Sequence, residues 1–210
     1  MEQLMSKCRI DAVILDFGGV VAEEGFAQGI KAIARAHSRD EQAVWKAGLE
    51  AVWESGYVYG RGGEADFWRL FKERTGISGD EAGWRSEVLS LFAVRPFMRD
   101  LVERLRGMGV VTAILSDQTD WLAVLDERQE FFRHFDKVFN SYHHGMTKKE
   151  PEFFLLALRE LGVEPGRAVF VDDNPGNVDR ARELGMHAIL YCDRDDFEQQ
   201  LGRLCPGVFE

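Results

Sequence analysis

The chain has 210 residues, 45% hydrophobic and 30% charged, with a formal net charge of −10. That length buries a full core and suits one large domain or one domain carrying a smaller insert. The acidic balance leaves no basic surplus for phosphate backbones or anionic headgroups, which excludes a general nucleic-acid or membrane-surface binder.

No stretch approaches the length of a bilayer-spanning apolar helix, and the opening "MEQLMSKCRID" lacks the regions of a secretory signal. Three scattered cysteines, Cys8, Cys192 and Cys205, form neither a disulfide framework nor a zinc spacing. A reducing, cytoplasmic location is the expectation.

In chain order, the first apolar run, Ala12 to Leu15, reads as a strand ending on Asp16, with Gly18 and Gly19 behind it. Residues 22 to 94 then carry helical spacing without a strand. Phe26, Ile30, Ile33 and Ala34 share one face; Val44, Gly48 and Val52, then Phe67, Leu70 and Phe71, then Trp84, Val88, Leu91 and Phe92 repeat it. These four helices read as an inserted bundle that returns to the sheet near Pro96. A helix through Leu101, Val102, Leu105 and Met108 follows, then a strand from Val110 to Leu115 that ends on Ser116 and Asp117.

Val138 to Phe139 is a short strand, and "MTKKEPEFF" sets Lys148 and Lys149 just before a helix through Phe154, Ala157, Leu158 and Leu161, with Gly162 after it. Ala168 to Val171 is a strand ending on Asp172 and Asp173. A helix from Val178 to Leu184, capped by Gly185, leads to a last strand at Ala188 to Tyr191. Alternating strand and helix predicts an α/β fold, a doubly wound parallel sheet with helices on both faces.

In open parallel sheets, ligands bind outside the carboxyl ends of the strands. Asp16, Ser116, Asp117, Lys148, Lys149, Asp172 and Asp173 all fall at such ends or at the start of a helix. Each alone has a plain reading as a turn, cap or solvated residue. The adjacent pair Asp172 and Asp173 is harder to dismiss, because neighbouring carboxylates repel unless solvent or a cation relieves them.

Taken in order, these segments resemble the motifs of the haloacid dehalogenase superfamily of hydrolases, which is dominated by phosphatases. "DFGGV" looks like the first motif, "ILSDQ" the second, "KKEP" the third and "VDDNPGN" the fourth. The resemblance runs over nearly the whole chain. It implies a core of residues 8–21 and 95–210 and a helical cap of residues 22–94. Within the cap, "YGRGGEADFW" resembles a stretch of small-capped members, with Gly60 and Phe67 as its fixed points.

By that resemblance Asp16 is the nucleophile that becomes an aspartyl phosphate, and Ser116 holds a phosphoryl oxygen. Lys148 neutralises the nucleophile and the transferring group; it is preferred to Lys149, which aligns with a proline of the family pattern. Magnesium is the implied cofactor, bound by Asp16, Asp173 and the Gly18 carbonyl, with Asp172 and Asn177 supporting the site. Gly19 allows the backbone to approach a phosphate. Asp117 stands where a small or amide residue is common, and would repel phosphate unless it points away or is paired.

Gly18 also occupies the position of the aspartate that serves such phosphatases as general acid. General acid-base assistance is worth about 10²–10⁴-fold in rate. Its loss predicts a preference for acidic leaving groups, such as sugar 1-phosphates and aryl phosphates, unless Glu23 or Glu24 donates the proton instead.

The expected partner is a small phosphorylated metabolite, with no nucleic acid and no membrane; the oligomeric state stays open. The competing readings are a non-catalytic module that binds phosphate or a protein, favoured by Gly18, and a haloacid dehalogenase, disfavoured by Asp172 and Asp173. His143 and His144, being adjacent, read as loop residues and not as ligands. Trp45, Trp53, Trp68 and Trp84 read as bundle packing. Tyr57, Tyr59 and Arg61 are candidates for contact with substrate.

Overall fold

The computed structural model describes residues 8–210; the first seven residues of the opening segment, read above for a secretory signal, lie outside it. Five parallel strands form one sheet in the order β3-β2-β1-β4-β5. They are β1 (Ala12–Leu15), β2 (Val111–Ser116), β3 (Lys137–Asn140), β4 (Ala168–Asp172) and β5 (His187–Leu190). Each predicted strand is present, shifted by at most one residue at either end. The shifts at β2 and β4 bring Ser116 and Asp172 into the ladder, paired with Asn140 and Leu190.

The helices are α1 (Gly25–Ala36), α2 (Glu41–Glu54), α3 (Glu64–Thr75), α4 (Glu81–Ser90), α5 (Pro96–Gly107), α6 (Trp121–Gln129), α7 (Ser141–His144), α8 (Pro151–Leu161), α9 (Pro175–Glu183) and α10 (Arg194–Leu204). Strand periodicity divides the core. Ala12 and Ile14 point to one face of the sheet, against Phe153, Phe154 and Ala157 of α8 and Ala181 of α9. Val13 and Leu15 point to the other, where α5, α6 and α10 contribute Met98, Leu122 and Phe197. Ile30, Val52, Phe67 and Val88 from the four inserted helices belong to the same contiguous apolar cluster. The insert therefore shares its core with one face of the sheet.

Its two connections run side by side. Ala22 bridges Val94 in antiparallel fashion, Glu23 N donates to Ala93 O at 2.9 Å, and Arg95 N donates to Val21 O at 2.9 Å. The Arg95 guanidinium closes this neck by donating to the carbonyls of Gly19 (2.8 Å) and Val20 (3.1 Å) and to both carboxylate oxygens of Glu23.

One expectation is corrected. Cys8 and Cys205 form a disulfide, although 197 residues separate them, and only Cys192 is free. The segment before β1 runs against the end of α10, with Arg9 N donating to Leu204 O at 2.9 Å, so the two thiols meet where sequence spacing gives no hint of it. The cysteine argument for a reducing compartment is lost with it. No helix among the described residues is long and apolar enough to cross a membrane.

Candidate active site

β1 ends in the middle of the sheet, flanked by β2 and β4, so its terminal residue faces the ends of both neighbours. Asp16 follows directly on Leu15, the last residue of β1, and so stands at that place. Its Oδ1 accepts from Phe17 N at 2.7 Å, Ser116 Oγ at 2.6 Å and Lys148 Nζ at 2.9 Å. Among the described residues its Oδ2 accepts nothing, and Asp16 lines a cavity of about 220 Å³. One oxygen is thus fixed in place while the other is free to react. Burial is the main cause raising the Asp16 carboxyl above its usual range; the Asp172 charge adds to the rise and the Lys148 ammonium opposes it.

Lys148 is 2% exposed and donates also to Asp172 Oδ2 at 2.6 Å. Burial disfavours its charge, yet the carboxylates of Asp16, Asp172 and Asp117 more than compensate and hold it protonated. Asp172 is fully buried and saturated: Oδ1 accepts from Asn174 N at 2.7 Å, and Oδ2 also accepts from Asn177 Nδ2 at 2.9 Å. Asn177 is fixed in turn by Arg180, which donates to its Oδ1 and to the Lys148 carbonyl, both at 2.6 Å.

Asp16, Asp172 and Asp173 each offer a carboxylate oxygen within 4.8 Å of the others. Burial and the Asp172 charge raise the Asp173 carboxyl as well. Asp173 is exposed, and its carboxylate accepts from its own backbone N–H. No donor among the described residues reaches the Gly18 carbonyl. This all-oxygen set, crowded with like charge, suits a hard divalent cation. Gly19 belongs to the same corner: its φ is +81°, and a Cβ there would lie 2.2 Å from Asp173 Oδ2. Only glycine permits both that backbone conformation and that approach.

The structure answers the question Asp117 raised. Its Oδ1 accepts from Lys148 N at 2.8 Å, so the carboxylate caps the loop that carries the lysine. Burial raises its carboxyl too. Lys149 lies apart from Asp16, with its Nζ 3.3 Å from the centre of the Trp53 ring. His143 and His144, expected in a loop, instead close the single turn of α7, where His144 packs between Phe139 and Phe153.

Two candidates are displaced. Arg61 is not in the cavity wall, because its guanidinium donates to Gly145 O at 3.1 Å and lies over the Tyr59 ring. Tyr59 points to Glu150 at 3.4 Å. Arg61 thus binds the insert to the end of α7, and Tyr59 binds it to the start of α8. Tyr57 does line the cavity, but its hydroxyl donates to Asp120.

Gly60 and Phe67 acquire physical reasons. Gly60 has φ +64°, and a Cβ there would strike Tyr142 O at 2.2 Å, while Phe67 is fully buried in the wall.

Of the two carboxylates named above as alternative proton donors, Glu24 lines the cavity, with its Oε2 capping α1 by accepting from Ala27 N at 2.7 Å and with burial raising its carboxyl, whereas Glu23 is bound to Arg95. Sequence reasoning missed two contributors. Trp53, read as packing, lines the cavity. Arg180 carried a usable signal, lying one helical turn after Asn177 on α9; Trp53 carried none.

Comparison with known proteins agrees with this geometry. The family model for haloacid dehalogenase-like hydrolases matches residues 10–185. A phosphoserine phosphatase from Thermus thermophilus is 29% identical over 203 residues, covering 85% of this chain and 80% of its own. The chain spans only 20% of a drimenol cyclase from Aspergillus calidoustus and 45% of a flavin mononucleotide hydrolase from Arabidopsis thaliana, at 33% and 28% identity.

A predicted HAD-like family hydrolase from Porphyromonas gingivalis superposes with a TM-score of 0.73 at 25% identity, over 93% of this chain and 98% of that one. A HAD family enzyme from Bacteroides thetaiotaomicron gives 0.73 at 23%, over 91% and 98%; the same enzyme is also known in complex with magnesium and inorganic phosphate. A sheet of this order, the matched span and the constellation around Asp16 lead to one conclusion: the chain belongs to the haloacid dehalogenase-like hydrolases.

Proposed function

We propose that the protein is a magnesium-dependent phosphatase of small phosphorylated metabolites that works through an aspartyl phosphate and favours acidic leaving groups. The observation that carries this reading is the Asp16 carboxylate, with three donors on one oxygen and none on the other. In the first step the free oxygen attacks phosphorus, an O–P bond forms, and the ester bond breaks with its electron pair on the leaving oxygen. Ser116 Oγ and Lys148 Nζ, already directed at Asp16, stabilise the transferring oxygens. In the second step water attacks the phosphorus of the aspartyl phosphate, releases inorganic phosphate and restores the carboxylate.

Asp16, Asp173 and the Gly18 carbonyl would hold magnesium, with Asp172 and Asn177 behind them. When bound, the ion supplies positive charge against the carboxylates and the phosphoryl group. Gly18 brings no proton to the leaving oxygen, and the cavity carboxylate of Glu24 is engaged as a helix cap. By leaving-group acidity alone, sugar 1-phosphates, acyl phosphates and aryl phosphates, whose leaving groups depart as weak bases, are favoured over alkyl phosphates. The helical cap of residues 22–94 over a core of residues 8–21 and 95–210 belongs to the same proposal, as does a cytoplasmic location, now without support from the cysteines.

A dehalogenase needs no cation, and the buried Asp172 beside Asp173 speaks against it. The idle-module reading keeps Gly18 as its one argument. A phosphate-release screen with aryl, sugar and alkyl phosphates, with and without magnesium, separates these readings. The phosphatase reading expects release that needs magnesium and vanishes in Asp16→Asn, a substitution that leaves the fold intact. Release that survives Asp16→Asn refutes it.

A further inference from the structure

Resting on that phosphatase reading, we propose that the leaving-group side of the cavity is built for a compact, uncharged aryl group, and that it discriminates against sugars and against leaving groups that carry a carboxylate. The wall supplied by the inserted helices is apolar: Phe26 from α1, Leu49, Val52 and Trp53 from α2, and Phe67 from α3. Leu49, Val52 and Trp53 are spaced i, i+3 and i+4, so they form one stripe on one helix face.

Leu49 is 38% exposed, one of three large exposed apolar side chains among the described residues. Opening into a cavity beside a reactive carboxylate gives it a partner that packing does not. Trp53 is held by Lys149 on its ring, which fixes an aromatic surface in the wall.

The α2 stripe offers a hydroxyl no partner. The inserted segment brings two polar groups to the lining, Tyr57, whose oxygen is engaged with Asp120, and Glu24, whose Oε2 caps α1; the remaining polar lining residues, among them Gln118, Thr119, Asn174 and Asn177, come from the core. Sugar hydroxyls packed against that stripe lose water without gaining partners, which weakens binding.

Charge works in the same direction. The lining holds Asp16, Glu24, Asp117, Asp172 and Asp173 against one cation, Lys148, which is already shared by Asp16 and Asp172. It contains no arginine or histidine. With the cation held by the catalytic carboxylates, a carboxylate on the leaving group lies against the apolar α2 face and loses its water without a cationic partner of its own. The cavity of about 220 Å³ falls below the ~300–1,000 Å³ of drug-sized pockets, which limits the group to about one ring.

The test uses the full chain with saturating magnesium and pairs of aryl phosphates whose phenols are equally acidic, one apolar and one bearing a carboxylate, with glucose 1-phosphate and acetyl phosphate alongside. Matching acidity keeps the missing general acid out of the comparison. We expect kcat/KM at least about tenfold higher for the apolar member, and higher for it than for glucose 1-phosphate.

Leu49→Gln and Trp53→Ala, each checked for a folded state by thermal unfolding, should raise KM for the apolar ester at least about tenfold more than for acetyl phosphate, which offers the wall almost nothing. Equal rates within a pair, faster glucose 1-phosphate, or variants that affect acetyl phosphate as much overturn this inference alone, provided that release still depends on Asp16. No release from any ester overturns it together with the phosphatase reading.

Discussion

Lys148 Nζ lies 2.9 Å from Asp16 Oδ1 and 2.6 Å from Asp172 Oδ2, so one buried ammonium group joins the ends of β1 and β4. Two carboxylates buried side by side are tolerable only with that charge between them. Lys148→Met should therefore destabilise the metal-free protein at pH 7 by about 3–5 kcal/mol, the cost of breaking a buried ion pair from one side, and should abolish phosphate release. Urea unfolding at pH 7 and pH 5 provides the check: the difference from wild type should narrow at pH 5, where Asp16 is protonated in both proteins and the wild type no longer has its Asp16–Lys148 pair. A loss under about 1 kcal/mol at pH 7 would show that the pair is not structural.

Gly18 and Gly19 look alike in sequence and differ in tolerance. A Cβ at Gly18 would meet Phe92 Cε1 at 3.6 Å and Gln118 Nε2 at 3.8 Å, which is ordinary contact, and its φ is not positive. Gly18→Asp should thus fold and restore a proton donor, raising kcat on alkyl phosphates by about 10²–10⁴-fold with a much smaller gain on aryl phosphates. Gains of the same size on both classes, or none on either, would contradict the assignment of the missing acid. Gly19→Ala, with its Cβ 2.2 Å from Asp173 Oδ2, should instead lose both stability and magnesium affinity.

Burial raises the carboxyls of Asp16, Asp173, Asp117 and Glu24 alike, and Asp16 is pushed up from 3.8 to about 7. For an acid whose folded pKa lies above its unfolded one, the folded state binds the extra proton. Stability of the metal-free protein should accordingly fall as pH rises from about 4 to about 7 and level off above that. A cation favours the ionised forms, so the Tm gained on replacing EDTA with magnesium should increase across the same interval. Scanning calorimetry over that range tests it; a magnesium effect independent of pH would rule it out.

The Cys8–Cys205 disulfide closes a loop of nearly the whole chain. Loop-closure entropy in the unfolded state makes it worth about 2–5 kcal/mol. Cys8→Ser should show that loss in urea without reductant, and wild type with reductant should match it. Identical midpoints in all three conditions would mean that the bond contributes nothing.

Much of the site was legible because its signals are local. Asp16, Ser116 and Asp172 end apolar runs, and a run buried on both faces must stop where the chain reaches the edge of the sheet. Lys148 precedes a helix whose Pro151 and Gly162 mark its two ends. The four inserted helices were visible from spacing alone. α6, α7 and α10 were not read: α7 is a single turn, α6 crowds its apolar residues into five consecutive positions that show no period, and the i, i+4, i+7 signal of α10 rests on Phe197, Leu201 and Leu204 alone.

By itself the sequence determined the α/β alternation, the place of the insert and the order in which the acidic, hydroxyl and amine groups meet the strand ends, because each depends on neighbours a few residues apart. Tertiary structure alone decided that Cys8 reaches Cys205, that Asp117 turns to the Lys148 amide, that Arg61 leaves the cavity and that Trp53 enters it. Those outcomes depend on where a side chain points once separate elements have packed. That direction is set by contacts between residues up to 197 positions apart, which no local period encodes.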